Sequence, residues 1–573
     1  MSTPPSGIHL VIGVTAHRDI PVDQHERLVE RMDALFNNLR KACPDLPLLM
    51  LNPLADGGDR LAARVARMHG IPLIVPLPFA QAEYERDFVE PASLDEFRSL
   101  LVGAEIRELP LATGIFADDI LDHGPARDRQ YAQLGMYVSS HCQILLALWD
   151  GLPHAAEGGT AQVVHFHLHN VMSGIAAKDI APNLLADDDS DLIYHVHCGR
   201  ESSTAGQPKQ APGSACWLTM SGALPDAPLP PPQYMVVLRQ MEALNEDIAR
   251  HHEAIANSSA RLLLATPAPV PEGAERLESL FVSADWLAIH YQRSQRTTLL
   301  VTHVIAMLMG LAFILYSDLA AMRLFVGFFL AFFVLGLGVS LLAKHRQWHR
   351  KYLDYRGLAE GLRVQLYWDL AGVDVPANSS FGYDSFLQKQ DVELSWIRHA
   401  MRDAALARTF GERSDPRWIP WVEAQWVGDA DGEGGQLAYF RNGTNRRLQA
   451  FRTTRRFGRA SLLAGIGGAV VLLVVGDSLS SSFQQWLILA MGLLPLAAGI
   501  RETYSFKKAD KELIKQYGFM TRLFEGCRDR LKQAKDASDV REILLALGRA
   551  CLDEHAEWIL LHRERPLEHE TSG

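Results

Sequence analysis

Four long stretches without a single charged side chain occupy the second half of the chain, and they limit what it can fold into more than any other feature. Leu324 to Ala343 reads LFVGFFLAFFVLGLGVSLLA, about the 20 apolar residues a helix needs to cross the hydrocarbon core of a bilayer. Thr298 to Tyr316 precedes it, with His303 its one ionisable residue. The link from Ser317 to Arg323 is short enough only for a tight hairpin. Ala460 to Val475 and Phe483 to Ile500 form a second pair. Asp477 and several serines lie in that link, Gln484 and Gln485 open the fourth run, and Pro495 sits inside it. The expected membrane spans are therefore 298–316, 324–343, 460–476 and 483–500, in two hairpins.

Basic residues flank the outer ends of these spans. Arg293 and Arg296 precede the first; Lys344, Arg346, Arg350 and Lys351 follow the second. Arg452, Arg455, Arg456 and Arg459 precede the third; Arg501, Lys507 and Lys508 follow the fourth. The hairpin tips hold only Asp318, Arg323 and Asp477 as charges. By the positive-inside rule all four clusters face the cytoplasm. This predicts a multi-pass protein of the bacterial inner membrane with both termini cytoplasmic. Four buried helices of a soluble protein are the competing reading, but a soluble core has no need of this charge asymmetry. The spans carry no Asp, Glu, Lys or Arg, so no proton relay or charged transport path is visible in them. Glycines 310, 327, 336, 338, 465, 467 and 468 permit close helix approach, within a hairpin or between subunits of a homo-oligomer.

Averages over all 573 residues conceal this pattern: mean hydropathy is -0.02 and the hydrophobic share is 48%. The net charge of -11 disfavours nucleic-acid binding through overall positive charge. The six cysteines are scattered with no CxxC pair, which argues against a disulfide framework or zinc ribbon. Met1 to Gly7 is polar and lacks the basic and apolar regions of a signal peptide, so the first domain is expected inside the cell.

Residues 8 to about 200 alternate apolar strand patterns with helical ones. Ile8–Val14, Leu48–Leu51, Pro72–Leu77 and Gln143–Trp149 read as strands. Asp23–Ala42, Asp59–Met68 and Tyr131–Ser140 read as helices, with Asp59 placed to cap the second. The rhythm predicts an α/β fold, a doubly wound parallel sheet of Rossmann-like type. In such sheets ligands bind at the carboxyl ends of the strands, and the unusual residues fall there. Thr15, His17 and Arg18 follow the first strand. Asp56-Gly57-Gly58-Asp59-Arg60 follows the second and enters a helix. Asp150 follows the later strand, and Gly158-Gly159-Thr160 opens the next helix. Glycine pairs at helix N-termini let backbone N–H groups and the helix dipole meet an anion. Arg18 and Arg60 are candidates for phosphate, and Asp56 or Asp150 for ribose hydroxyls. The alternative is that the glycines only form turns and the arginines are surface charge.

Here the residues carry a resemblance. GVTAHRDI, LADGGDRLAARVARMHGIPLIVPLPF, YERDF, RDRQYAQLGMYVSSHCQILLALWDG and GGTAQVV, in that order over residues 8 to 170, resemble the SLOG superfamily. That superfamily includes DNA-processing proteins and cytokinin-activating phosphoribohydrolases. ADWLAIHYQRSQRTT, HRKYLDYRGLAEGLRVQLYWDLAGV, ELSWIRHAMR and DEHAEWILLHRERPLE resemble the SLATT group of two-helix membrane effectors of bacterial conflict systems. The resemblance implies a sensor for a nucleotide-derived second messenger, joined to membrane helices that oligomerise and breach the inner membrane during phage infection. The phosphoribohydrolases carry PGGxGTxxE. Here Gly158-Gly159-Thr160-Ala161-Gln162-Val163-Val164 lacks the inner xG and the glutamate, which favours binding without turnover. A membrane-tethered nucleotide hydrolase is the alternative. No cofactor is expected beyond the nucleotide ligand.

Other features weigh less. His165, His167 and His169 suit a metal only on a strand, yet a helix is expected there, bringing His165 and His169 alone to one side. Asp187-Asp188-Asp189 with Asp191 lacks the glycine and distal glutamate of a calcium loop. The expected division is a nucleotide-binding domain over 1–222 and a proline-rich linker with a helix over 223–273. Two membrane modules follow, over 274–435 and 436–573. Residues 274–296 are expected to run as helix into the first span, 345–370 to continue the second, and 505–532 with 540–562 to form a closing hairpin.

Overall fold

The computed structural model describes residues 7–112, 114–153, 158–172, 192–202, 210–259, 261–263, 266–319, 322–373, 386, 392–408, 415–429 and 434–563. Glu157 and the aspartates at 187–191 lie outside these. By its contacts the chain forms two compact units. One comprises 1–286, 357–418 and 544–560, the other 287–356, 419–543 and 561–573.

The first unit is built on an eight-stranded sheet: β1 (Leu10–Ala16), β2 (Leu48–Leu51), β3 (Leu73–Leu77), β4 (Glu105–Glu108), β5 (Ile144–Trp149), β6 (Leu192–His197), β7 (Ala215–Thr219) and β8 (Gly222–Leu224). Its order is β4-β3-β2-β1-β5-β6-β7-β8. β1 through β6 are parallel. β7 and β8 are antiparallel, so the sheet is mixed rather than purely parallel. The reason is local: Thr219 pairs with Gly222 across a two-residue turn, and so short a connection can join only antiparallel strands.

The intervening helices are α1 (His25–Ala42), α2 (Gly58–Met68), α3 (Pro91–Leu101), α4 (Pro125–His141) and α5 (Thr160–His169). Strand residues two apart share a face. Val11, Leu49, Leu51, Leu145 and Ala147 therefore make one apolar surface, covered by Leu134 and Val138 of α4 and Val163 and Val164 of α5. The intervening Ile12, Val14 and Met50 are buried on the opposite face. Leu28, Met32, Leu35 and Leu39 form the buried stripe of α1, which packs on α2.

A helix at 232–256, α6 (Pro232–Ala256), fastens the amino end of β1. Asn245 accepts the Ile8 N–H at 2.8 Å and donates to the carbonyls of Ile8 and Asp45. Next comes α7 (Ala274–Ile314), one helix of 41 residues, as expected for a helix running into the first span. Its first turns join the first unit, where Arg276 and His9 both hold the buried Asp403 carboxylate. These contacts keep that carboxyl below its ordinary range despite its burial.

The second unit contains the apolar helices. α7 ends in a π turn, Leu315–Leu319, and is followed by α8 (Arg323–His345). As expected, helix continues after the second span, with one turn of distortion at the junction. Gln347 takes a left-handed conformation, φ 51°, and separates α8 from α9 (Trp348–Ala371). α10 (Ser395–Ala405) belongs to the first unit. α11 (Gly435–Val475) and α12 (Ser481–Lys507) complete the four apolar helices, and α13 (Asp510–Leu531) and α14 (Ala537–Arg563) end the chain. α14 packs on α9: Trp368 Nε1 donates to the Leu544 carbonyl, and the Trp368 ring covers Gly548.

Four helices of this unit are long and apolar enough to cross a membrane. Their outer faces stay uncovered by protein, with Leu473 86% exposed and Val474 73%, as a lipid-facing surface requires. Ser480 caps α12 by accepting the Phe483 N–H, and Gln484 donates to the Gly476 carbonyl, tying the tip of the second hairpin. Glycines set the helix contacts. Gly468 meets Met491 within the α11–α12 pair, and Gly336 meets Ile305 within the α7–α8 pair. Gly310 against Leu496 and Gly492 against Ile314 join the two hairpins through α7 and α12. Nothing lies within 4 Å of a side-chain position at Gly327, Gly338 or Gly467.

A leucine at position 310 would need the space that Leu496 now fills, 2.7 Å from the missing Cβ. Gly310→Leu should therefore cost about 1–3 kcal/mol and lower the unfolding temperature in detergent. Gly327→Leu, open on the same side-chain criterion, should leave it unchanged.

Candidate functional site

Strand order reverses between β1 and β5. β1 is followed leftward by β2, β3 and β4, while β5 and β6 continue on its other side. The carboxyl ends of strands at such a reversal are the place where sheets of this kind take ligands. Thr15, at the end of β1, is buried beside Ala147 of β5. His17 continues the register, its N–H donating to the Leu148 carbonyl. Its ring contacts Asp150: Nε2 lies 3.2 Å from Oδ1 and also accepts the Asp150 backbone N–H. Burial lowers the His17 pKa against the opposing pull of Asp150, so the ring is neutral at pH 7 and its Nε2 free of a proton when that backbone bond forms. Asp150 Oδ1 accepts the Leu152 N–H and fixes the turn after β5.

The first glycine pair brings the loop after β2 against the loop after β1. Gly57 is left-handed, φ 81°, and a Cβ on it would stand 2.1 Å from the Arg18 carbonyl oxygen. A Cβ on Gly58 would stand 2.4 Å from that of Ala16. The Gly58 N–H donates to the His17 carbonyl at 3.0 Å, so this pair serves loop packing and not an anion. Asp59 does not cap α2, as expected from its place in the sequence. Gly57 occupies the N-cap position, and Asp59 points inward, 4% exposed. Burial pushes its carboxyl up to about 7. Arg18, the Ala55 N–H, Arg60 and the Ala16 N–H oppose the shift. Its Oδ1 has no hydrogen-bond partner among the described residues.

Arg60, set beside Arg18 as a phosphate candidate, is 1% exposed. Its guanidinium donates to the Leu54 carbonyl and to the carbonyl and hydroxyl of Ser93, pairs with Asp56 at 2.8 Å, and lies over the Phe88 ring at 4.4 Å. Ser93 Oγ donates to Asp56 as well. Arg60 and Asp56 thus anchor the loop to α3. Arg18 differs. As a residue it is exposed, while its guanidinium is partly desolvated and held charged by Tyr84, Tyr131, Asp87 and Asp59; it makes no hydrogen bond or close ion pair among the described residues. It lies over the Tyr131 ring, 5.7 Å from the centroid.

Tyr131 links both halves of the crevice. Gly158, left-handed with φ 70°, packs so tightly on it that a Cβ would stand 2.9 Å from the tyrosine Cβ. Gln162 accepts the Gly158 N–H at 3.0 Å, so the side chain nearest the missing glutamate's stretch holds the loop. Gly159 then caps α5 in an extended conformation, and Thr160 begins the helix. Arg18 and the residue two before the start of α5 therefore both adjoin Tyr131, one at its ring and the other at its backbone and Cβ.

Sequence reasoning passed over the ring of residues beneath Arg18. YERDF and RDRQY meet here: Asp87 accepts from both Arg127 and the Tyr131 hydroxyl, and Arg127 lies over Phe79. Burial raises the pKa of Tyr84 and of Tyr131, so both remain phenols. His195 and His197, on one face of β6, flank the Asp150 side. His195 Nε2 bonds the Trp149 carbonyl, while His197 Nε2 is buried without a partner among the described residues. The alternating spacing in the sequence was the available signal. His165 and His169 do adjoin on α5, ring centroids 4.7 Å apart, and no metal-holding group of three His, Cys, Asp or Glu occurs among the described residues. All six cysteines are free, and burial pushes the Cys198 thiol, at the end of β6, up to about 12.

No family model, curated protein or solved structure matches this chain.

The raised Asp59 carboxyl has a sign that experiment can read. A folded pKa near 7 against an ordinary 3.8 means that the folded state loses stability as pH rises between those values. Asp59→Asn should abolish that loss. Thermal unfolding of the variant should match the parent near pH 4 and exceed it above pH 7.

Proposed function

We propose that the chain is a membrane effector whose Rossmann-like, SLOG-like domain binds a nucleotide-derived second messenger on the cytoplasmic side. Binding drives subunits to oligomerise, and the four spans then form a pore or lesion in the bacterial inner membrane as an antiviral response. The supporting observation is Arg18. A guanidinium with no hydrogen bond or close ion pair among the described residues stands at the switch point of the sheet, over the ring of Tyr131, whose Cβ is also met by Gly158 ahead of α5. A cation and a helix N-terminus are the two groups that recognise phosphate, and the tyrosine face suits a base or ribose. The joined apolar helices supply the membrane. α7 carries residues of both units in one continuous helix, a covalent route from binding to membrane.

Vesicles containing the full-length protein should leak ions when cyclic or ADP-ribose-type nucleotides are added to the face bearing the sheet domain. Arg18→Ala should raise the nucleotide concentration needed by roughly tenfold or more, the loss of a charge-assisted hydrogen bond of ~1.5–3 kcal/mol. Leakage unchanged in both Arg18→Ala and Gly159→Ala would exclude the sensing role.

A membrane-tethered nucleotide hydrolase is the second reading, and the His17–Asp150 pair favours it. A neutral imidazole 3.2 Å from a carboxylate can serve as a general base where a substrate proton replaces the Asp150 backbone N–H at its Nε2. Incubation of the full-length protein in detergent with a nucleotide panel separates the two. Product released by the parent and not by His17→Ala establishes turnover. A ligand recovered intact, with leakage preserved, establishes sensing alone.

A further inference from the structure

The part of α11 that precedes the third span carries charge of one sign. From Gly435 to Val475 the helix holds seven arginines and no aspartate, glutamate or lysine. The first three are engaged with the chain. Arg441 pairs with Glu525 at 3.0 Å, Arg446 donates to the Asn442 carbonyl at 3.4 Å, and Arg447 lies over the Tyr517 ring at 4.6 Å. The last four, Arg452, Arg455, Arg456 and Arg459, are exposed and make no hydrogen bond or ion pair among the described residues. α12 brings its own arginine to the helix here: Arg501 reaches the Thr454 hydroxyl and lies over the Phe457 ring. Glu502 beside it forms no ion pair with any of the four.

Helical spacing puts the four on one face. At 3.6 residues per turn they fall within an arc of about 100°, and Thr454 and Phe457 lie on the opposite side. Further along the helix, Leu463, Ile466, Val470 and Leu473 fall within that same arc, between 52% and 86% exposed. One stripe therefore runs from lipid-facing apolar side chains to arginines. The change comes at Arg459 and Ala460, where an apolar interior gives way to headgroups. Arg452 stands roughly 10 Å beyond Arg459 at ~1.5 Å per residue, about one Debye length. Arg452 with Arg456 and Arg455 with Arg459 are four residues apart, and like charges at that spacing weaken a helix. No carboxylate of α11 offsets them.

We propose that this arginine face docks on the acidic headgroups of the inner leaflet, with the guanidinium forks of Arg452, Arg455, Arg456 and Arg459 taking lipid phosphates. The planar fork matches a phosphate with two parallel hydrogen bonds. The occupant is the bilayer surface and not a soluble anion, because the stripe is continuous: once Leu463 and Ile466 lie among acyl chains, phosphates stand at the level of Arg459. The acidic lipid content of the leaflet would then set the depth at which α11 enters the membrane, a control separate from the nucleotide crevice. The inference rests on α11 lying in lipid and not on nucleotide sensing.

Native mass spectrometry of the full-length protein released from nanodiscs provides the test, with equal phosphatidylglycerol and phosphatidylcholine of identical chains as probes. The parent should retain phosphatidylglycerol at least about fivefold over phosphatidylcholine, the factor one arginine near an acidic leaflet supplies. Exchange of all four arginines for glutamine should cut that preference at least about threefold, and exchange for lysine should largely keep it. The pair Arg455→Gln/Arg456→Gln, milder on the fold, should lose about twofold or more. Arg446→Gln, roughly 20 Å beyond the apolar boundary, should change nothing. Equal retention of both lipids by the parent, or a preference that the glutamine variants keep, overturns the proposal. An equal loss in Arg446→Gln overturns it too, since charge alone and not this face would then be at work. So does displacement of phosphatidylglycerol by millimolar glycerol phosphate, which marks a soluble-anion site. Nucleic acid retained by the parent and released by the glutamine variants would assign the face to a polyanion instead. Protein that stays in solution without detergent refutes the membrane premise, while loss of nucleotide response leaves the lipid result standing.

Discussion

A bilayer interior offers no water to peptide N–H and C=O groups, so each must find its partner within the chain. That requirement dictates the second unit of this protein. α7 and α11 each run 41 residues without a break, and their hydrogen bonds close within the helix. Departures gather at the ends: the π turn at Leu315–Leu319, the capped start at Ser480, and left-handed Gln347 and Ala509. Pro495, the one break in the donor pattern inside a span, lies where Gly465 leaves its ring room at 3.9 Å. With hydrophobic burial unavailable between helices in lipid, close packing decides their order. Gly310 and Gly492 therefore matter more than the leucines around them. They let α7 and α12 approach and make one bundle of two hairpins.

The sheet domain obeys the opposite economy. Water is present, the apolar core holds the elements, and the polar residues at the strand ends are arranged by one another. Gly57 allows the loop after β2 to touch the backbone at Arg18; Gly158 allows the loop before α5 to touch Tyr131. Both glycines act by lacking a side chain at a close approach, and both are left-handed. Their effect is to crowd two loops around Arg18 while Arg60, Asp56 and Ser93 bind the outer wall together. Of the two arginines, Arg60 is bound into the loop and α3, while Arg18 makes no hydrogen bond or close ion pair among the described residues. Sequence alone cannot distinguish them, because each follows a strand and each adjoins an aspartate.

How much could be read in advance follows from the physics of each element. β1, β2, β3 and β5 were legible because central parallel strands are buried on both faces and leave continuous apolar runs. β4, Glu-Ile-Arg-Glu with only Arg107 buried, leaves no such run, since an edge strand is mostly in water. β8, at the other edge, escaped for the same reason. The spans were legible because composition alone defines them. The errors arose where a tertiary contact overrode a local rule. Asp59 has the sequence position of a cap, but burial drew it inward and Gly57 took the bend. The partner that Trp368 gives α14 on α9 was likewise out of reach, because 176 residues separate Trp368 from Leu544. Asp87, Arg127 and Tyr131 stood in two quoted motifs, but 40 residues separate Asp87 from Arg127, and nothing short of the fold joins them.

The charge on Arg18 and the proton on Asp59 belong to one balance. Arg18 is the largest influence holding the Asp59 carboxyl down against burial. An anion seated on Arg18 would cancel that help and leave Asp59 facing burial with Arg60 and two backbone N–H groups. The carboxyl would then take up a proton, and α2, whose second residue it is, would lose a buried negative charge near its N-terminus. The helix dipole favours that charge, so its loss alters how firmly the loop after β2 grips the loop after β1. On the proposed reading, phosphate binding would thus be coupled to uptake of that one buried proton. By reciprocity anion affinity would then rise as pH falls through 7. An arginine on an ordinary solvated surface, with no buried acid beside it, would show no such coupling.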